Sequence, residues 1–184
     1  NWRKNFLLNN LSSLKLNNSQ IYLSSSELHG GAISCVASHV EVVNTDIYNN
    51  SSEMGGAIFV DPNSKCIIDN VNFNNNGANN GGAIATLEGS KLTIQDSEFI
   101  GNTASGFMQS NDPDFPVYGG GGAIYQPFSD TLKISNTNFF SNTANISPGG
   151  AIASYHGVKI ILYNVDIIDN ESLGAGGGLA FFRT

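Results

Sequence analysis

The sequence predicts an all-β protein, a right-handed parallel β-helix (solenoid) of about six coils with roughly 26 residues per coil and one inserted loop. Two recurring phrases and their spacing carry the prediction. Gly-Gly-Ala-Ile stands at 30–33, 55–58, 81–84, 121–124 and 149–152, with a degenerate Gly-Gly-Gly-Leu at 176–179. Ahead of each copy runs Asn-x-x-(Phe/Ile)-x-x-Asn, as in Asn44-Ile47-Asn50, Asn70-Phe73-Asn76, Asn136-Phe139-Asn142 and Asn164-Ile167-Asn170. Asn18-Ile21-Ser24 and Asp96-Phe99-Asn102 are near matches. First members of this phrase lie 26 residues apart three times, then 40 and 28. Self-similarity at such a period marks a solenoid, where each unit buries its face only against its neighbours. A coil this short has no room for a βα unit with loops, and parallel crossovers are nearly always right-handed.

Composition agrees. The 184 residues suffice for one domain with a core, and low charge (12%), 21 glycines and 40% apolar residues suit one long stack with polar turns. Net charge is −7, and the eight basic residues are dispersed along the chain, whereas a nucleic-acid surface needs them clustered. No run of about 20 apolar residues exists to insert in a membrane. Asn1-Trp2-Arg3-Lys4 is not a signal peptide, so for a secreted protein that segment lies outside these residues.

Residues 1–13 read as a lead-in or partial coil with Phe6, Leu7, Leu8 and Leu11 as apolar contacts, and 14–184 as a single β-helix domain. Leu14, Val40, Cys66, Leu92, Leu132 and Ile160 form one inward column, and Leu16, Val42, Ile68, Ile94, Ile134 and Leu162 another. Their spacing by two is the strand period, while Lys15, Glu41, Ile67, Thr93, Lys133 and Ile161 between them read as a solvent face. Parity carried two residues further turns Asn18, Asn44, Asn70, Asp96, Asn136 and Asn164 inward, at the corner where the strand ends. Coils about 4.8 Å apart let each amide bond the same amide above and below, a ladder that Asp96 caps or interrupts.

Ile21, Ile47, Phe73, Phe99, Phe139 and Ile167 continue the core, and Ser24, Asn50, Asn76, Asn102, Asn142 and Asn170 mark a second corner. Glycines about five residues on supply positive φ where a β-carbon would clash. Ala-Ile then opens another short strand. The repeat breaks once, between Asn102 and Gly121, where 14 extra residues stand. This insertion, 103–118, holds Phe107, Met108, Asp112, Asp114, Phe115 and Tyr118 and is the candidate binding loop; the other reading packs its aromatics on the next coil.

The two phrases, used in fixed order from Leu14 to Leu179, resemble the GGAI and FxxN repeat of the polymorphic outer-membrane proteins of chlamydiae. That resemblance implies a β-helical passenger domain of the pectin-lyase-like type and a role as a surface adhesin.

Chemistry-bearing residues do not converge in the sequence. Cys35 and Cys66 lack metal-ligand spacing and read as free buried thiols or a disulfide. Asp46, Glu98 and Asp166 recur every second coil, too far apart to share a calcium ion and at the upper edge for a hydrolase pair. His29, His39 and His156 occupy unrelated repeat positions. Mixed outward columns argue against a flat ice-binding face. Asn10, Asn17, Asn49 and Asn145 are candidate N-glycosylation sites; Asn50 and Asn170 share the triplet but belong to a corner column.

The sequence stops in mid-coil with Phe181 and Phe182 and no cap, so its expected partners are further β-helix coils or other protein chains stacked at the ends. The expected function is a non-enzymatic structural or adhesive module, extracellular or at the cell surface, with no cofactor, cell-surface glycans as candidate partners, and no nucleic acid. The alternative is a polysaccharide-binding or polysaccharide-cleaving β-helix protein.

Overall fold

A computed structural model describes residues 6–9, 12–106, 108–109, 117–128, 131–156 and 159–182. Among them there is no helix, and parallel strands wind into a β-solenoid of about six turns with some 26 residues per turn. Each turn visits three sheets in the same order. The first is short, seven strands from Phe6–Leu8 through Ile33–Cys35, Ile58–Val60, Ile84–Thr86, Ile124–Gln126 and Ile152–Tyr155 to Leu179–Phe182. The second holds the ten-residue strands His39–Tyr48, Lys65–Asn74, Thr131–Phe140 and Lys159–Ile168, with shorter partners. The third is narrow, from Ser51–Met54 and Gly77–Asn80 to Glu171–Ser172.

Register follows the repeat. Val40 pairs with Cys66, Cys66 with Leu92, Leu92 with Leu132 and Leu132 with Ile160, so like residues stack on like. The expected inward columns form one core running along the axis, with Val42, Ile68 and Ile94 fully buried. Phe73, Phe99 and Phe139 stack with centroids 4.6 and 4.7 Å apart, near-parallel because strand spacing sets the ring spacing.

Gly-Gly-Ala-Ile is a corner. Its first glycine has positive φ in every copy, from 58° at Gly30 to 71° at Gly149. Its second glycine has no room for a side chain: a β-carbon on Gly82 would sit 2.1 Å from the carbonyl oxygen of Gly122 in the next coil. The alanine and isoleucine that follow are fully buried in the five full copies.

The insertion is narrower than its predicted span. Thr103 and Ala104 still pair with Gly77–Ala78 below and Thr143–Ala144 above, and Gly106 still bonds to the carbonyl of Asn79. The coil resumes at the bridge from Asn80 to Gly120. Between them, Met108–Gln109 and Val117–Tyr118 form an antiparallel pair, the one departure from parallel pairing among the described strands. The Tyr155 hydroxyl, on the outside of the first sheet, donates to the carbonyl of Gly119 at 2.8 Å and ties the insertion to that face. Phe107, Asp112, Asp114 and Phe115 lie outside the described residues.

Candidate functional site

The polar columns are the features from which any site must be built. Asn18, Asn44, Asn70, Asp96, Asn136 and Asn164 do not point inward, as parity required: all six are exposed. Each has a left-handed backbone, with φ between 47° and 53°. That conformation turns the strand by one residue, so Val43 and Asn44 both face outward and Thr45 takes the buried place. Asparagine and aspartate enter the left-handed region with least strain, which explains why Asp96 fits the column as well as the amides do.

The side chains nevertheless bond from coil to coil on the surface. Asn70 Nδ2 donates to Asn44 Oδ1 at 2.7 Å, Asn136 Nδ2 to Asp96 Oδ1 at 3.0 Å and Asn164 Nδ2 to Asn136 Oδ1 at 3.1 Å. Asn44 donates to Asn17 rather than to Asn18, at 3.1 Å. The carboxylate of Asp96 has no N–H to offer Asn70, so the row is interrupted there.

The buried ladder is the second corner, Asn50, Asn76, Asn102 and Asn142, with Asn170 half-buried at its end. Asn76 is 1% exposed; its Nδ2 donates to Asn102 Oδ1 at 3.0 Å and to the carbonyl of Ile47 at 2.9 Å. Its own Oδ1 accepts both the backbone N–H and the Nδ2 of Asn50, at 3.1 and 3.0 Å. Asn102 and Asn142 repeat the pattern. These amides close the backbone bonds that the corner would otherwise leave open.

A third row runs outside the second sheet. Asn72 Nδ2 donates to Asp46 Oδ1 at 2.9 Å, while Gln20 Nε2 reaches Asp46 and Asn138 Nδ2 reaches Glu98, each at 3.4 Å. An amide therefore separates each carboxylate from the next, and the acids do not converge. Among the described residues no group of three or more His, Cys, Asp or Glu could hold a metal ion. The third sheet carries an open depression of about 400 Å³ lined by Ser26, Glu27, Ser51, Ser52, Glu53 and Asn79. Its hydroxyl and carboxylate pairs, Ser26 with Ser52 and Glu27 with Glu53, recur at the 26-residue period, a signal present in the sequence.

Cys35 and Cys66 are free and fully buried, in one core cluster. Burial pushes the Cys66 thiol far up, with Cys35 adding to it, and burial also raises Cys35 against hydrogen bonds from Ser64 and Ser38. Both thus hold their protons to higher pH than unfolded cysteines, which ionise near about pH 8.5. The folded state then binds more protons than the unfolded one, so stability falls as pH rises through that window. Thermal melts from about pH 8 to 10 should show a downward slope that flattens in Cys35→Ala/Cys66→Val.

The basic residues, dispersed in sequence, are gathered by the fold. Lys15, Lys65, Lys91, Lys133 and Lys159, five of the eight, stand exposed on two neighbouring outward columns of the second sheet. Only Lys15 is in an ion pair among the described residues, with Glu41 at 2.7 Å.

Fold and rows together define the class: a parallel β-solenoid of sequence repeats whose polar corners are hydrogen-bonded along the axis. Residues 96–127, one FxxN phrase, the insertion and one GGAI phrase, match the family model described as the Chlamydia polymorphic membrane protein (Chlamydia_PMP) repeat. No curated protein and no solved structure matches the chain.

Proposed function

We propose that this chain is an extracellular, non-enzymatic module of a cell surface that holds a binding face away from its anchor. The carrying observation is the division of its polar groups: inward amides are consumed by coil-to-coil bonds, while outward residues form rows along a rigid axis. A rigid scaffold with regular outward rows suits adhesion, and carboxylates separated by amides do not suit glycosidic cleavage. The matched repeat comes from a membrane-protein family, which supports a surface location.

Beads coated with residues 1–184 should adhere to animal cells more than albumin-coated beads, and oligosaccharides incubated with the protein should release no new reducing ends. Steady release of reducing ends would favour the polysaccharide-cleaving alternative.

Stacking at the ends belongs to the same reading. The outermost long strand, Lys159–Ile168, pairs on one side only, as do Glu171–Ser172 and Leu179–Phe182. Such edges are templates for another strand, so further coils of a longer chain, ahead of a second copy stacked head-to-tail, are the proposed partners. Light scattering of residues 1–184 should show association that rises with concentration; a persistent monomer would defeat both versions.

Glycan attachment is proposed for Asn17, Asn49 and Asn145, all exposed, when the chain passes through a eukaryotic secretory pathway. Asn50 is 1% exposed and Asn170 donates to two carbonyls, so peptide mapping should find both emptier. Asn10 lies outside the described residues.

A further inference from the structure

We propose that the lysine stripe of the second sheet binds a linear acidic polysaccharide, one bearing sulfate or carboxylate groups along its length. The register places it. Lys65 and Lys91 are direct cross-strand partners, Lys91 pairs with Thr131 two residues from Lys133, and Thr131 pairs with Lys159. Four exposed ammonium groups thus follow the solenoid axis over three rungs, roughly 14 Å at strand spacing. None of the four has an ion pair among the described residues. Their neighbours on the two columns are His39, Ile67, Thr93, Thr131 and Ile161, none of them acidic.

The chain's net charge of −7 makes this segregation informative: it holds 15 acids against eight bases, yet among the described residues no acid lies between these four lysines. The nearest facing acids on the sheet are Glu41, already paired with Lys15, and Asp69, four residues along the strand from Lys65. Beyond them come the outward carboxylates Asp46, Asp96, Glu98 and Asp166.

Those flanks select the partner. A stripe two columns wide spans about 7 Å along the strand, enough for one thin polymer chain. A nucleic-acid duplex, with a charge every ~1.7 Å and far greater width, would overhang the carboxylate columns and be repelled by them. The stripe also lacks interleaved aromatic side chains on which unpaired bases could stack. A polysaccharide with spaced anionic groups meets the lysines and leaves the acids outside its footprint.

This inference rests on the adhesive reading and specifies its ligand. Residues 1–184 would be titrated with heparin oligosaccharides, N- and O-desulfated heparin, and duplex DNA. Engagement of four charges predicts, at about 0.7 in log–log slope per charge for a single-stranded polyanion, a ~50-fold affinity loss between about 50 and 200 mM salt. Lys65→Gln/Lys91→Gln/Lys133→Gln/Lys159→Gln should abolish binding with an unchanged circular dichroism spectrum, and Lys91→Glu alone should weaken it several-fold. Desulfated heparin, which keeps only its uronate carboxylates and so a lower charge density, should bind more weakly than heparin. Equal binding by the quadruple variant and the parent would overturn the proposal, as would Lys91→Glu without effect, or duplex DNA binding as tightly as heparin. Bead adherence separates the two readings. Adherence unchanged in the quadruple variant removes the stripe and keeps the adhesive role, whereas parent beads that fail to adhere remove the adhesive role itself.

Discussion

Gly82→Ala should cost at least about 4 kcal/mol and lower the melting temperature by roughly 10 °C or more. The added methyl carbon would lie 2.1 Å from Gly122 O, 2.5 Å from Thr103 N and 2.8 Å from Thr103 C. All three atoms are backbone: one belongs to the Gly-Gly-Ala-Ile corner of the next coil and two to its third-sheet strand Thr103–Ala104. Relief by side-chain rotation is unavailable, so the coils must separate. Separation would loosen the bond from Gly82 N–H to Gly121 O at 3.2 Å and those from Ala83 and Ile84 N–H to Ala123 O at 3.0 and 2.9 Å. Gly77→Ala is the matched control in the same coil. Its new carbon would find its nearest neighbour, Thr103 O, 4.0 Å away, and the backbone there is not left-handed, so a change within about 0.5 kcal/mol is expected. Equal melting temperatures for the two variants would mean that the second glycine is not a contact point between coils.

What the sequence made legible follows from what period and alternation can encode. The columns led by Val40 and Val42 were legible because apolar residues alternate there over four strand positions, and burial follows alternation until something breaks it. The break at Asn44 was not legible as a break. A left-handed residue shifts the alternation by one, and the column that looked inward by counting is outward in fact. The hint was chemical: a column that accepts Asp96 among asparagines is better suited to positive φ than to a buried amide ladder. The insertion's length was readable from 40 against 26, but its starting point was not, because Thr103–Ala104 continue the parallel pairing. The lysine stripe lay hidden for a third reason. Sixty-eight residues of sequence separate Lys65 from Lys133, and only the register of two intervening strand pairs brings them onto one face.

The buried ladder gives the other large effect. Asn76→Leu keeps the bulk of the side chain and removes its amide. The N–H and Nδ2 of Asn50 then lose their shared acceptor, and the carbonyl of Ile47 loses its donor at 2.9 Å. Asn102 Oδ1 keeps the backbone N–H of residue 76, and Asn50 Nδ2 keeps the carbonyls of Ile21 and Tyr48, so two groups are stranded, the Asn50 N–H and the Ile47 carbonyl. At about 1–3 kcal/mol for each buried unpaired group, the loss should reach at least about 2 kcal/mol, less only if water enters the corner. Asn70→Gly tests the surface column against it. Glycine takes φ near 53° freely, and the lost bond from Asn70 Nδ2 to Asn44 Oδ1 is exposed, so the cost should stay near 0.5 kcal/mol. Denaturant melts of the two variants order the columns. A greater loss at residue 70 than at residue 76 would return the internal ladder to the first corner and refute the placement of the second.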